Sequence, residues 1–230
     1  MEEKIFEMLQ LQDRLNVDTN GVDWRKDITK NGKIINWKRC IYMECAELID
    51  SFPWKHWKSI EQNIDFKNIE IELVDIWHFL MSYLLKFYEP NMLVGLIKEI
   101  YSTKSDIKIP KIWKRDDNLK IDDYIDIFED LMAFALIKSD EKNYHEAFLE
   151  HFFKACESIG LDFDRLYGLY IGKNVLNQFR QDHGYKNGEY KKIWNNKEDN
   201  IVMQEILEKE ENIDFNSLYQ KLKKIYDNCL

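Results

Sequence analysis

Two short acidic signatures constrain this chain most: Glu44-Cys45-Ala46-Glu47 and Glu72-Leu73-Val74-Asp75, each inside a stretch patterned as helix. Residues three apart on a helix lie on one side, a turn above one another, so each signature presents a carboxylate pair. Glu44 and Glu47 share their side with Trp37, Cys40, Ile41 and Leu48, while Glu72 and Asp75 share theirs with Ile69, Ile76 and Phe79. Acids therefore interrupt the apolar stripes by which a helix packs against a partner. An isolated ExxE is ordinarily a solvated face. For two such motifs on the apolar sides of consecutive helices, that explanation would have to fail twice. Four inward carboxylates cannot remain ionised alone, so they must take up protons, pair with cations or hold metal. Carboxylate oxygens suit a hard divalent ion such as Mg²⁺, which commonly shares its coordination with substrate phosphates. The pattern predicts a magnesium site for phosphate chemistry.

Composition narrows the fold. The 230 residues suffice for one sizeable core, or for a core plus a smaller lobe. Apolar residues at 45%, with seven Trp, exclude a disordered chain, and only eight Gly and three Pro favour long helices over the turns of an all-β fold. We expect an all-α helical bundle with a rigid metal-binding core and a smaller mobile lobe. A net charge of −9 argues against nucleic-acid or anionic-membrane binding. Residues 1–15 are acidic and amphipathic, unlike a signal peptide, and no apolar run is long enough to span a bilayer. Cys40, Cys45, Cys156 and Cys229 show no CxxC spacing, so free thiols in a reducing cytoplasm are expected.

In chain order, residues 2–16 read as a helix with Ile5, Met8, Leu9 and Leu15 along one side, and Gln12 and Asn16 on that same side. Buried amides need partners. These two either satisfy a neighbouring backbone turn or read the amide edges of a flat polar ring such as a pyrimidine base. Asn20-Gly21 and Asn31-Gly32 mark 17–33 as a loop, and the first acidic helix runs over about 34–51 until Pro53. The following Phe52-Pro53-Trp54-Lys55-His56-Trp57-Lys58 is either a pocket wall, with Trp54 or Trp57 stacking on a ring, or core and surface. The second acidic helix, about 68–88, is apolar on nearly every side and should be central. His78, one turn beyond Asp75, is a packing residue or a ligand contact.

A further helix over 91–103 is followed by a polar stretch, 102–120, that reads as a hinge. The resulting division is a core of about 1–103 and 160–230 within a single domain, with a mobile helical insertion of about 104–159. The insertion carries helices near 121–138 and 142–159. Glu141, His145, Glu146, Glu150 and His151 on the latter read as surface. Lys173, Asn177 and Arg180 then project from one side of a helix with Asn174 nearby, and Gly184 closes it. Tyr185, Lys186, Gly188, Tyr190, Lys191 and Lys192 form a basic turn, giving a cationic cluster suited to polyphosphate. Helices near 199–211 and 215–228 read as packing.

ExxE, 24 intervening residues and ExxD, with LQDRLN near the start and GKNVLNQFRQDHGYKNGEYKKIW later, resemble the dimeric, all-α dUTPases of the all-α nucleoside triphosphate pyrophosphatase superfamily. The pieces occur in family order over residues 9–194. The resemblance implies Mg²⁺ held by Glu44, Glu47, Glu72 and Asp75, with Gln12, Asn16 and His78 around uracil and deoxyribose. It places Lys173, Asn174, Asn177, Arg180, Tyr185, Lys186 and Lys191 at the sugar and phosphates, and Trp57 at the aromatic wall. Many superfamily members carry a Glu just before the first acid, where this chain has Met43. The implied enzyme is a cytoplasmic homodimer acting on a small nucleotide. It converts dUTP, and dUDP, to dUMP by metal-activated attack of water on the α-phosphorus, with Glu44 or Glu47 as base. The alternatives are a related pyrophosphatase for another nucleotide such as dCTP, a carboxylate-bridged di-iron bundle, and a non-catalytic helical module.

Overall fold

A computed structural model describes residues 1–58, 63–103, 115, 118–210 and 213–229. The all-α expectation holds. Among the described residues there are nine α-helices: α1 (Glu2–Asn20), α2 (Trp37–Ile49), α3 (Phe66–Leu84), α4 (Pro90–Thr103), α5 (Ile121–Leu136), α6 (Lys142–Ser158), α7 (Phe163–Asp182), α8 (Asp199–Lys209) and α9 (Phe215–Asp227). Among the described residues, a short antiparallel pair, β1 (Ile193–Trp194) and β2 (Lys197–Glu198), and an isolated bridge between Ile28 and Ile34 depart from that expectation. Helix ends follow local chemistry. Asn36 caps α2 by accepting from Arg39 N at 2.9 Å, and Asp65 caps α3 by accepting from Asn68 N at 3.0 Å. The second acidic helix ends at Leu84, four residues short of the expected Tyr88, and Pro90 opens α4. Likewise α1 runs on to Asn20, into the stretch read as loop, before Gly21 turns the chain with φ 97°.

The described residues gather into two compact units, Met1–Phe163 and Asp164–Leu230. In the first, α3 is central, as its all-round apolar pattern predicts. Trp77, fully buried, stacks on Phe152 of α6 with ring centroids 4.9 Å apart. Burying such a side chain contributes about 2–3 kcal/mol. Helix α2 packs on α3 and α5, α6 on α5 and α4, and α1 on α4 and α3. The hinge expected over 102–120 lies largely outside the described residues, as does the start of the insertion expected from 104. Among the described residues, no helix is long and apolar enough to cross a membrane.

One surface expectation fails. His145 is 1% exposed, whereas Glu141 and Glu150 are exposed as read. Tyr83 Oη donates to Asp140 Oδ1 at 2.5 Å, so the contact between His145 Nε2 and Tyr83 Oη at 3.2 Å needs the imidazole to donate. Nδ1 then accepts from Tyr88 Oη at 2.9 Å. Burial lowers the His145 pKa, which suits this neutral form.

In the second unit, Asn195 (φ 49°) and Asn196 (φ 64°) make the tight turn between β1 and β2. The hairpin delivers the chain directly into α8. Gly172 on α7 permits close approach of α8, since a Cβ there would meet Leu207 Cδ1 at 2.6 Å. Tyr190 stacks on Tyr226 of α9, centroids 5.3 Å apart. Gly184, at φ 79°, follows the end of α7 as expected.

Candidate active site

Helices α2 and α3 run antiparallel, since Trp37 meets Phe79 with ring centroids 6.2 Å apart while Glu44 meets Glu72 and Asp75. One ligand atom from each of Glu44, Glu72 and Asp75 lies within 4.8 Å of the others. Glu72 is buried, and Glu44 and Asp75 are partly so. Glu47, one turn further along α2, is exposed and stands outside this trio. The inward face predicted for all four acids therefore describes three of them.

Burial pushes the Glu44 carboxyl up to about 8, with the charges of Asp75, Glu72 and Glu47 adding to it and a hydrogen bond to Glu72 favouring the protonated form. A carboxyl–carboxyl hydrogen bond needs a proton that neither group would hold near neutrality in water. A cation would remove both the need for that proton and the repulsion behind it. The group consists of carboxylate oxygens alone, which fits a hard divalent ion. The neighbouring thiols offer no softer ligand: burial raises the Cys45 pKa to about 12, and burial and Glu44 raise that of Cys40.

One face away, Gln12 (2% exposed) and Asn16 (3%) of α1 are buried against α3. Both side-chain amides donate to Ser82 Oγ at 2.9 Å, and Ser82 donates to the His78 carbonyl at 2.8 Å. His78 Nδ1 lies 2.6 Å from Gln12 Oε1, an acceptor, so Nδ1 carries the proton. The structure thus joins Gln12, Asn16 and His78 in one network. The two amides share a side-chain partner on a neighbouring helix. Ser82 was missed, although a serine one turn beyond His78 in an apolar helix was a signal available in the sequence. Trp57 is 63% exposed and meets Trp54 edge-on at 5.5 Å, so this aromatic segment is largely unburied.

The second unit holds the cationic residues. Lys173, Asn174 and Arg180 are buried at 3%, 5% and 8% exposure, with Asn177 partly buried. Tyr185, Lys186 and Lys191 are exposed. Arg180 donates to both oxygens of Asp199, Nε to Oδ2 at 2.8 Å and Nη2 to Oδ1 at 2.7 Å. Lys173 Nζ donates to Asn200 Oδ1 at 2.9 Å. The sequence assigned α8 to packing alone, and no periodicity in it points to Asp199 or Asn200.

Comparison with curated proteins finds no match. A family model, described as dUTPase, matches residues 4–185. The matched span includes both acidic signatures, the amides of α1 and all of α7. With its all-helical architecture and converging carboxylates, the chain belongs to the all-α dUTPase family, whose activity is hydrolysis of dUTP.

Proposed function

We propose that the protein hydrolyses dUTP to dUMP and pyrophosphate, and dUDP to dUMP and phosphate, in a magnesium-dependent reaction. The observation that carries this reading is the meeting of Glu44, Glu72 and Asp75, where burial and then the neighbouring carboxylates raise the Glu44 pKa. These three residues, with Glu47 beside them, would hold the metal. Magnesium, when bound, neutralises charge on phosphate oxygens and lowers the pKa of a coordinated water.

Water attacks the α-phosphorus in line, and the bond to the bridging oxygen of the leaving group breaks. Glu44 or Glu47 takes the proton of that water. Lys173, Arg180 and Lys186 offset charge on the departing pyrophosphate, and Asn174, Asn177, Tyr185 and Lys191 contribute further contacts to sugar and phosphates. Gln12, Asn16 and His78 recognise the uracil and deoxyribose, using amide groups that Ser82 now orders. Trp57 supplies the aromatic wall. Its exposure fits a surface completed by substrate.

We take the enzyme to be a homodimer of the cytoplasm. The family resemblance supports the first point and four free cysteines support the second. Calorimetry with a non-hydrolysable dUTP analogue, with and without Mg²⁺, tests the core of the reading, and metal-independent binding would overturn it. Pyrophosphate release across a nucleotide panel tests specificity. Preference for dCTP over dUTP would overturn the base assignment alone.

A further inference from the structure

We propose that Asp199 and Asn200, at the start of α8, are positioning residues that fix Arg180 and Lys173 for the phosphates of the nucleotide, with Tyr190 holding Asp199 in turn. This rests on the assignment of Lys173 and Arg180 to the polyphosphate made above. The dUTPase match ends at residue 185, so it assigns no role to these three residues.

A guanidinium is a planar fork with two usable edges. Asp199 occupies the Nε–Nη2 edge bidentately, at 2.8 and 2.7 Å, from a side chain that is 1% exposed. The Nη1 side is turned to Asn177 Oδ1 at a looser 3.4 Å. Burial would raise the Asp199 pKa, but Arg180, Tyr190 and Lys173 more than offset it, so the carboxylate stays ionised. Tyr190 Oη donates to Asp199 Oδ2 at 2.7 Å, which fixes the carboxylate plane. Arg180 is therefore held in one rotamer before any ligand arrives, and binding need not order it.

Asn200 sets the spacing of the two cations. Its Oδ1 accepts from Lys173 Nζ at 2.9 Å and from Arg180 Nη2 at 3.2 Å, so both converge on one oxygen. The side chain is neutral, so it binds both cations without cancelling their charge. Next to Lys173, the Asn174 Nδ2 donor is buried with no hydrogen-bond partner among the described residues, and an acceptor-rich ligand would supply one. The chain enters α8 through the Asn195-Asn196 turn, and Gly172 on α7 faces Met203 and Leu207 of α8.

The test is steady-state kinetics of the full chain with Mg²⁺-dUTP, together with inhibition by dUMP, which lacks the β- and γ-phosphates. Asp199→Asn should raise KM for dUTP about tenfold or more, as expected for loss of a charged hydrogen bond. Its effect on the dUMP inhibition constant should be much smaller, a split that general loss of structure would not give. Asn200→Asp keeps the shape but sets a negative charge against both cations, and should also raise KM. The double variant Arg180→Gln/Asp199→Asn should be no worse than Arg180→Gln alone. If Arg180→Gln raises KM while Asp199→Asn leaves it unchanged or lowers it, the positioning role is refuted. If Arg180→Gln itself leaves KM unchanged, the polyphosphate assignment falls first and the proposal with it. Tyr190→Phe removes one hydrogen bond and no charge, and should raise KM about threefold. It carries the test should Asp199→Asn not fold, and an unchanged KM in that folded variant refutes the proposal.

Discussion

Removing the charge of Glu44 should stabilise the metal-free protein while destroying its activity. The Glu44 carboxyl rises from an ordinary value of 4.5 to about 8 in the folded chain. A group raised on folding contributes stability that is fully present below its unfolded pKa and is lost as pH climbs through the folded one. The window is therefore pH 4.5 to about 8. At ~1.4 kcal/mol per unit, the full shift sets an upper bound of about 5 kcal/mol. Glu44 is only partly buried and Glu47 beside it is exposed, so screening leaves an expected effect of about 2 kcal/mol. In EDTA at pH 8, Glu44→Gln should melt above the parent by about 5 °C, and the gap should close towards pH 5. Added Mg²⁺ should raise the melting temperature of the parent, with proton release, and leave that of the variant nearly unchanged. Thermal unfolding over this pH range, with and without metal, is the assay. A variant less stable than the parent in EDTA at pH 8 would show that Glu44 serves a stabilising pairing, and the metal reasoning would fail.

Asp75→Asn and Glu47→Gln should each abolish turnover while helical content by circular dichroism is retained. Magnesium-dependent activity surviving in both would remove the proposed site. Ser82→Ala removes the acceptor that two buried amides share, so it should cost about 1–2 kcal/mol in urea unfolding and raise KM for dUTP. Trp57→Ala removes a side chain that is 63% exposed; stability should change by less than about 0.5 kcal/mol, while nucleotide affinity, read by calorimetry, falls. Gly172→Ala sets a methyl group against the ends of the Leu207 and Met203 side chains, which can turn aside, while helix propensity improves; stability should change by less than about 1 kcal/mol, read by thermal unfolding.

Much of the architecture follows from local pattern. The apolar periodicity and scarcity of Gly and Pro specified an all-helical chain, and Asn36, Asp65 and Gly184 mark ends by chemistry that acts within a few residues. The i, i+3 spacing placed Glu44 with Glu47 and Glu72 with Asp75, and marked Gln12 and Asn16 as amides on an apolar side. What spacing could not decide is which side chains meet across helices, because that depends on how two rods are rotated and shifted against each other. Only the packing of α2 on α3 brings Glu44 to Glu72 and Asp75 while leaving Glu47 exposed. Only the packing of α1 on α3 places Ser82 between Gln12 and Asn16. His145 read as surface because its helix is rich in charge, yet Tyr83 and Tyr88 bury it. Asp199 reaches Arg180 from nineteen positions away through a two-residue hairpin. The sequence determined the helices and the helical side on which the candidate residues stand. The tertiary structure decided their partners, because contacts between elements distant along the chain follow from packing geometry and not from local spacing.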